Sequence, residues 1–144
     1  MKFNIIIFLL LTVGLFAQEN ERRDGNWWRT ISNFDLKFIY LKGVIDGTEL
    51  GQDMILGGQE NYSNDKNEVK FRLRITTGYK KYNDKYLLNV SYGQIIDGLD
   101  TLYADFKNRK ISIYIGIELV TKLISGMSSE LYNKYLELDR EYSN

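Results

Sequence analysis

The sequence predicts a mainly α-helical protein: a four-helix core with an inserted β-hairpin, following a cleaved signal peptide. Three observations predict it. Apolar residues recur at spacings of three and four through most of the chain after residue 30, the period of a helix with one buried face. Proline is absent from all 144 residues, so none of these helices is broken from within. A single stretch, Val69–Thr76, alternates apolar with polar residues instead.

The chain opens with Lys2, an apolar run over Phe3–Phe16 containing only Asn4 and Thr12 as polar members, then Ala17 and the polar Gln18–Asp24. This is the three-part pattern of a secretory signal peptide, with cleavage expected between Ala17 and Gln18. Leu15 departs from the small residue preferred three positions before the cut. An uncleaved anchor is the alternative, but a membrane span needs about 20 apolar residues. The expected product is therefore periplasmic or secreted, with no stable membrane span after cleavage. Residues 1–17 are read as the signal peptide and 18–26 as a flexible leader. Residues 27–144 are read as a single helical domain with an insertion at about 57–90.

Trp27, Trp28 and Ile31 suggest a short helical turn carrying aromatic anchors into the core. Ser32 with Asp35 three residues on resembles a capping box, opening a long helix over approximately Asn33–Leu56. Phe34, Phe38, Leu41 and Ile45 share one face; Leu36, Tyr40, Gly43, Gly47, Leu50 and Met54 lie nearly opposite. A helix apolar on two sides is sandwiched between partners, so this one is expected at the centre of the fold. Gly43, Gly47 and Gly51 recur every fourth residue along it. Each glycine costs a helix about 1 kcal/mol relative to alanine. The compensation is either close approach of another backbone or a groove admitting a ligand or a partner's side chain.

Gly57–Asn67 is a polar connection. Val69, Phe71, Leu73 and Ile75 then alternate with Lys70, Arg72, Arg74 and Thr76, the pattern of a half-buried strand with a basic outer face. Asn83-Asp84 signals a turn and Tyr86–Val90 a returning strand. A helix over Val69–Tyr82 is the alternative, against which Thr76-Thr77-Gly78 argues. Ser91 and Gln94 form a capping box for a helix over Tyr92–Lys107, burying Ile95, Leu99, Leu102 and Phe106. A helix over Ser112–Ser125 buries Ile113, Ile117, Val120 and Ile124 and stops at Gly126. Ser128 caps the last helix, whose stripe is Leu131, Tyr135, Leu138 and Tyr142.

Composition excludes much chemistry. The chain has no cysteine and no histidine, hence no disulfide, no thiolate nucleophile, no Ser-His-Asp triad and no nitrogen/sulfur zinc site. No P-loop, dinucleotide fingerprint or EF-hand spacing occurs, so no cofactor and no metal are expected. Nineteen basic residues balance nineteen acidic ones, and nothing draws the chain as a whole to nucleic acid.

Three groups remain as candidate sites. Asp46, Glu49 and Asp53, with Asp97, Asp100 and Asp105, are carboxylates that support glycoside hydrolysis if two sit about 5–10 Å apart across a cleft; otherwise they are solvated helix surface. Between Lys66 and Tyr86 seven basic residues face only Glu68 and Asp84, with Tyr79, Tyr82 and Tyr86 interleaved. Lys70, Arg72, Arg74, Lys80, Lys81 and Tyr82 are the candidate binding residues, for a protein or an anionic envelope partner. The alternative is a hairpin edge whose cations discourage aggregation. Asp105, Asn108 and Arg109 form a third group, read as a locked helix end.

Gly25-Asn26, Trp28, Lys37, Tyr40, Gly43 and Gly47, then Gly98-Leu99-Asp100, Tyr103, Asp105, Asn108-Arg109 and Ile111, and finally Val120 with Ile124-Ser125-Gly126, resemble the motif blocks of a group of small exported bacterial helical proteins of unknown function. The resemblance covers most of Gly25–Arg140 apart from the basic segment, which it implies to be an insertion. More distantly, the helical layout resembles the immunity proteins that neutralise type VI secretion amidases in the periplasm. Those often carry cysteines, which this chain lacks, and the likeness implies a protein-binding role without assigning residues. The expectation is an exported, non-catalytic helical domain binding a protein or envelope component. A carboxylate-dependent hydrolase of envelope glycan is its rival.

Overall fold

A computed structural model describes residues 23–57 and 65–143, without the side chains of 56 and 57. The apolar leader, its cleavage point and the connection over 58–64 lie outside the described residues. The elements run α1 (Gly25–Thr30), α2 (Phe34–Gly57), α3 (Lys66–Tyr82), a π-helical turn (Asn83–Leu87), α4 (Tyr92–Ala104), a 3-10 turn (Phe106–Asn108), α5 (Ile113–Ile124) and α6 (Ser129–Ser143). The protein is mainly helical; among the described residues extended pairing is limited to a bridge between Asp24 and Ser112.

The core centres on α4 and α5. Ile95, Ile96, Leu99, Leu102 and Tyr103 of the first, and Ile113, Ile117, Leu119 and Val120 of the second, are buried. Glycine lets the two backbones close up: a Cβ at Gly98 would lie 2.3 Å from Val120 Cγ1, and one at Gly116 2.4 Å from the Tyr103 hydroxyl. Burial at this interface repays what glycine costs a helix. Around it, α1 contributes Trp28, α2 Leu41 and α6 Leu136. The ends of these helices follow local chemistry. The Ser91–Gln94 box closes α4 reciprocally, and Ser112 accepts from the Ile115 N–H at the start of α5. Gly126 takes a φ of +92° beyond α5, the left-handed conformation glycine adopts without a Cβ clash. The Ser128 hydroxyl accepts from the Leu131 N–H at 3.3 Å, capping α6.

The inserted hairpin is absent, and its first strand is α3. Helix-favouring local contacts prevail over the period-two pattern. Asp65 caps the helix by accepting from the Asn67 N–H, Glu68 pairs with Arg72 and Lys80 with Asp84 one turn apart, and the Thr76 hydroxyl returns to the Arg72 carbonyl. The conflict leaves a visible residue. Alternate positions on a helix point away from one another, so Val69, Phe71 and Leu73 stay 43%, 63% and 52% exposed.

Helix α2 is not the centre. Among its described side chains only Leu41 is buried, with Tyr40, Val44 and Ile45 half-buried against the core, while Phe34, Leu36, Leu50 and Met54 face solvent. Its cap is Asn33 rather than Ser32: the Asn33 carboxamide accepts from the Asp35 and Leu36 N–H groups. On α6 the expected stripe Leu131, Tyr135, Leu138 and Tyr142 is exposed, and the helix docks through Tyr132, Leu136 and Ser143 instead. Phe106 and Ile124 are exposed as well. Phe106 falls in the 3-10 turn after α4, which breaks the periodicity that placed it on the buried face.

Residues 24–26 belong to the folded body rather than a leader. Asp24 caps α1, the Gly25 N–H donates to the Ile111 carbonyl at 3.3 Å, and the Ile113 N–H to that of Arg23 at 2.9 Å.

Candidate functional site: a basic helix over an apolar cavity

Winding residues 66–82 into a helix redistributes the six predicted binding residues. A strand would have put Lys70, Arg72 and Arg74 on one face; at about 100° per residue a helix sends Arg72 away and brings Lys70, Arg74 and Lys81 together. These three line one shallow depression with Leu73, Thr77 and Gly78. No ion pair holds any of the three among the described residues. Arg72 instead reaches Glu68 and the Ile55 carbonyl, and Lys80 is taken by Asp84 at 3.0 Å. Tyr82 turns toward the core, its hydroxyl 2.7 Å from that of Thr121, and burial raises its pKa to about 12.

Beneath this face lies a cavity of about 420 Å³ between α2, α3 and α5. Val44, Ile45, Ile75, Leu87 and Ile117 supply aliphatic walls, and Tyr79, Tyr82 and Tyr114 aromatic ones. Gly78 lines it too, and a Cβ there would meet nothing within 4 Å. Of its two ionic residues, Glu118 is engaged by Lys122, which leaves Arg74. Tyr79 lines the cavity on one side and a more polar depression, with Glu49, Gln52 and Asp53, on the other. Its hydroxyl is buried without a hydrogen-bond partner, as is Gln52 Nε2. Burial, and then the Glu49 carboxylate, raise the Tyr79 pKa above the ordinary tyrosine value, so the phenol keeps its proton. Sequence reading missed this site. Ile75, Gly78, Tyr79 and Tyr82 do recur at helical spacing, but the alternation ahead of them hid it.

The glycines of α2 do not pack. A Cβ at Gly43, Gly47 or Gly51 would meet nothing within 4 Å among the described residues, so no described backbone approaches them. The carboxylates are spread over separate contacts. Asp46 pairs with Lys42, Asp100 with Lys37 and Asp105 with Arg140, at 2.5, 2.5 and 3.1 Å. Glu49 and Asp53 share the polar depression with Asp84. No group of three or more acidic residues among those described could hold a metal ion, and no described helix is long and apolar enough to cross a membrane.

The remaining motif residues meet in one junction. The Trp28 indole N–H donates to Asp100 Oδ1 at 2.7 Å, and Lys37 Nζ meets the same oxygen while lying 5.2 Å from the Trp28 ring centroid. Gly25 packs on the Tyr103 ring, where a Cβ would come within 2.2 Å, and the Tyr103 hydroxyl donates to the Ser112 carbonyl at 3.1 Å. The Asn26 N–H and carboxamide both donate to the Arg109 carbonyl, at 3.1 and 3.2 Å. Buried Asn108 donates to the Leu102 carbonyl at 2.7 Å and accepts from Arg140 Nε at 2.8 Å. The polar contacts of this junction join α1, α2, α4 and α6. Comparisons with protein-family models, with curated proteins and with solved structures find no match for this chain.

Proposed function

We propose that this is an exported, non-catalytic helical domain that binds an acidic partner protein through the outer face of α3. The observation carrying this reading is the trio Lys70, Arg74 and Lys81, unpaired among the described residues and ringing the exposed Leu73. Val69, one turn before Leu73, adds exposed apolar surface on the same side of the helix. Apolar groups bordered by unpaired charge are the make-up of a non-obligate interface, in which apolar contact supplies affinity and charge supplies steering and register. Maintaining such a surface in a monomer costs solubility and helix packing, a cost that a partner offsets. Export rests on the apolar leader with its polar border at Gln18.

The test uses the full-length gene. The exported product is expected to begin at Gln18, and a soluble cytosolic product retaining Met1 overturns the export half of the reading. The purified protein is then used for capture from the same compartment, beside a K70E/R74E/K81E variant and a K107E/K110E control that reverses exposed charge away from α3. An acidic protein retained by wild type and control, lost from the triple variant and released by raised salt, is the expected result. Equal capture by the triple variant overturns the docking face.

A further inference from the structure

We infer that the cavity between α2, α3 and α5 takes the apolar chain of a small carboxylate amphiphile, with Arg74 holding the carboxylate at its edge. This goes beyond the protein-docking face and rests on the cavity walls, with Arg74 common to both sites. The cavity's 420 Å³ falls in the range of about 300–1,000 Å³ typical of small-molecule sites. Aliphatic and aromatic walls offer water few partners, so an apolar chain fills the space better than solvent does.

Charge selects the sign of the head group. Glu118 is neutralised by Lys122, so the lining carries one uncompensated charge, that of Arg74. A guanidinium matches a carboxylate with two parallel N–H donors. Arg74 and Gly78 line both the cavity and the outer basic depression, and so mark where inner space meets surface. Lys70 and Lys81 flank that boundary and reinforce the preference for an anion. Gly78 completes the argument: glycine is unfavourable within a helix, no close approach among the described residues requires it at this position, and its missing side chain keeps the cavity deep.

Calorimetric titration of the delipidated exported protein with dodecanoate, and with dodecyltrimethylammonium as the cationic probe of equal chain length, tests the inference. Wild type is expected to bind dodecanoate saturably and at least about tenfold more tightly than the ammonium, the ratio a charge-assisted contact supplies. Gly78→Leu fills the cavity from α3 and is expected to weaken dodecanoate by about tenfold or more, as the loss of several buried methylenes requires. Val44→Phe fills it from α2 and keeps the test readable should Gly78→Leu disturb its helix. Arg74→Gln is expected to close most of the gap between the two probes. Absence of saturable dodecanoate binding in wild type, unchanged binding in both filled variants, or equal affinity for the two probes overturns the inference. Val44→Phe lies outside the docking face and keeps its three cations, so with that variant loss of amphiphile binding and loss of partner capture are read separately.

Discussion

Two halves of this molecule use the same residue types to opposite ends. In the α4–α5 half, Gly98 and Gly116 are pressed against Val120, Leu99 and Tyr103, and apolar side chains that recur at helical spacing are buried. In the α2–α3 half, a Cβ at Gly43, Gly47, Gly51 or Gly78 would meet nothing within 4 Å among the described residues, and Leu36, Leu50, Met54, Phe71 and Leu73 face water. Spacing alone does not distinguish the halves. What separates them is a second surface of matching shape, which α5 provides for α4 and which α2 and α3 find only in part.

That contrast can be broken most severely at Trp28, the fully buried link between the halves and the partner of Asp100. Trp28→Ala is expected to cost about 3–5 kcal/mol in chemical denaturation, the usual loss for a large buried aromatic. A cost below 1 kcal/mol, on the scale of surface substitutions, would show that the junction does not hold the halves together. A paired glycine experiment sharpens the comparison. Gly98→Ala forces a methyl into Val120 and is expected to destabilise by about 1–3 kcal/mol, as overpacking does. Gly47→Ala meets open space and is expected to stabilise by up to about 1 kcal/mol. Like signs for the two would erase the distinction. The smallest effect concerns pH. Burial, and then Glu118, raise the pKa of Asp139 on α6 above its ordinary 3.8, against the opposing pull of Lys122. The folded carboxyl thus holds its proton more tightly than the unfolded one, and stability falls as pH rises above about 3.8. Asp139→Asn is expected to raise the melting midpoint slightly at pH 7, with the advantage fading toward pH 3.5; an advantage that grows with acidity contradicts the sign.

The packed half was legible because several levels agree there. The Ser91–Gln94 box, the stripes Ile95–Leu99–Leu102 and Ile113–Ile117–Val120, and the glycine at 126 all point to the same two helices. The open half was not, and for stated reasons. Helix α2 carries apolar residues on two sides, so periodicity could not rank its faces, and the structure buries little beyond Leu41. In α6 the packing face mixes Leu136 with Tyr132 and Ser143, so the more apolar stripe drew the reading outward. In α3 the alternation outweighs Asp65, Glu68–Arg72 and Lys80–Asp84, and Gly78 reads as a breaker in the sequence although it lines a cavity. The basic character of the candidate site was visible in composition. Its geometry was not, because which cations converge depends on the period of the segment that carries them.

The alternation in α3 is not erased by winding it into a helix. If that segment peels from the body before the rest unfolds, Val69, Phe71, Leu73 and Ile75 line up on one edge of a ribbon, with Lys70, Arg72 and Arg74 on the other. Short alternating segments of this kind are the raw material of cross-β fibrils, and like charges beside them act as gatekeepers. The same cations that recommend the helix as a docking face therefore also keep loosened copies of the chain from stacking, a safeguard that a polyanion would remove.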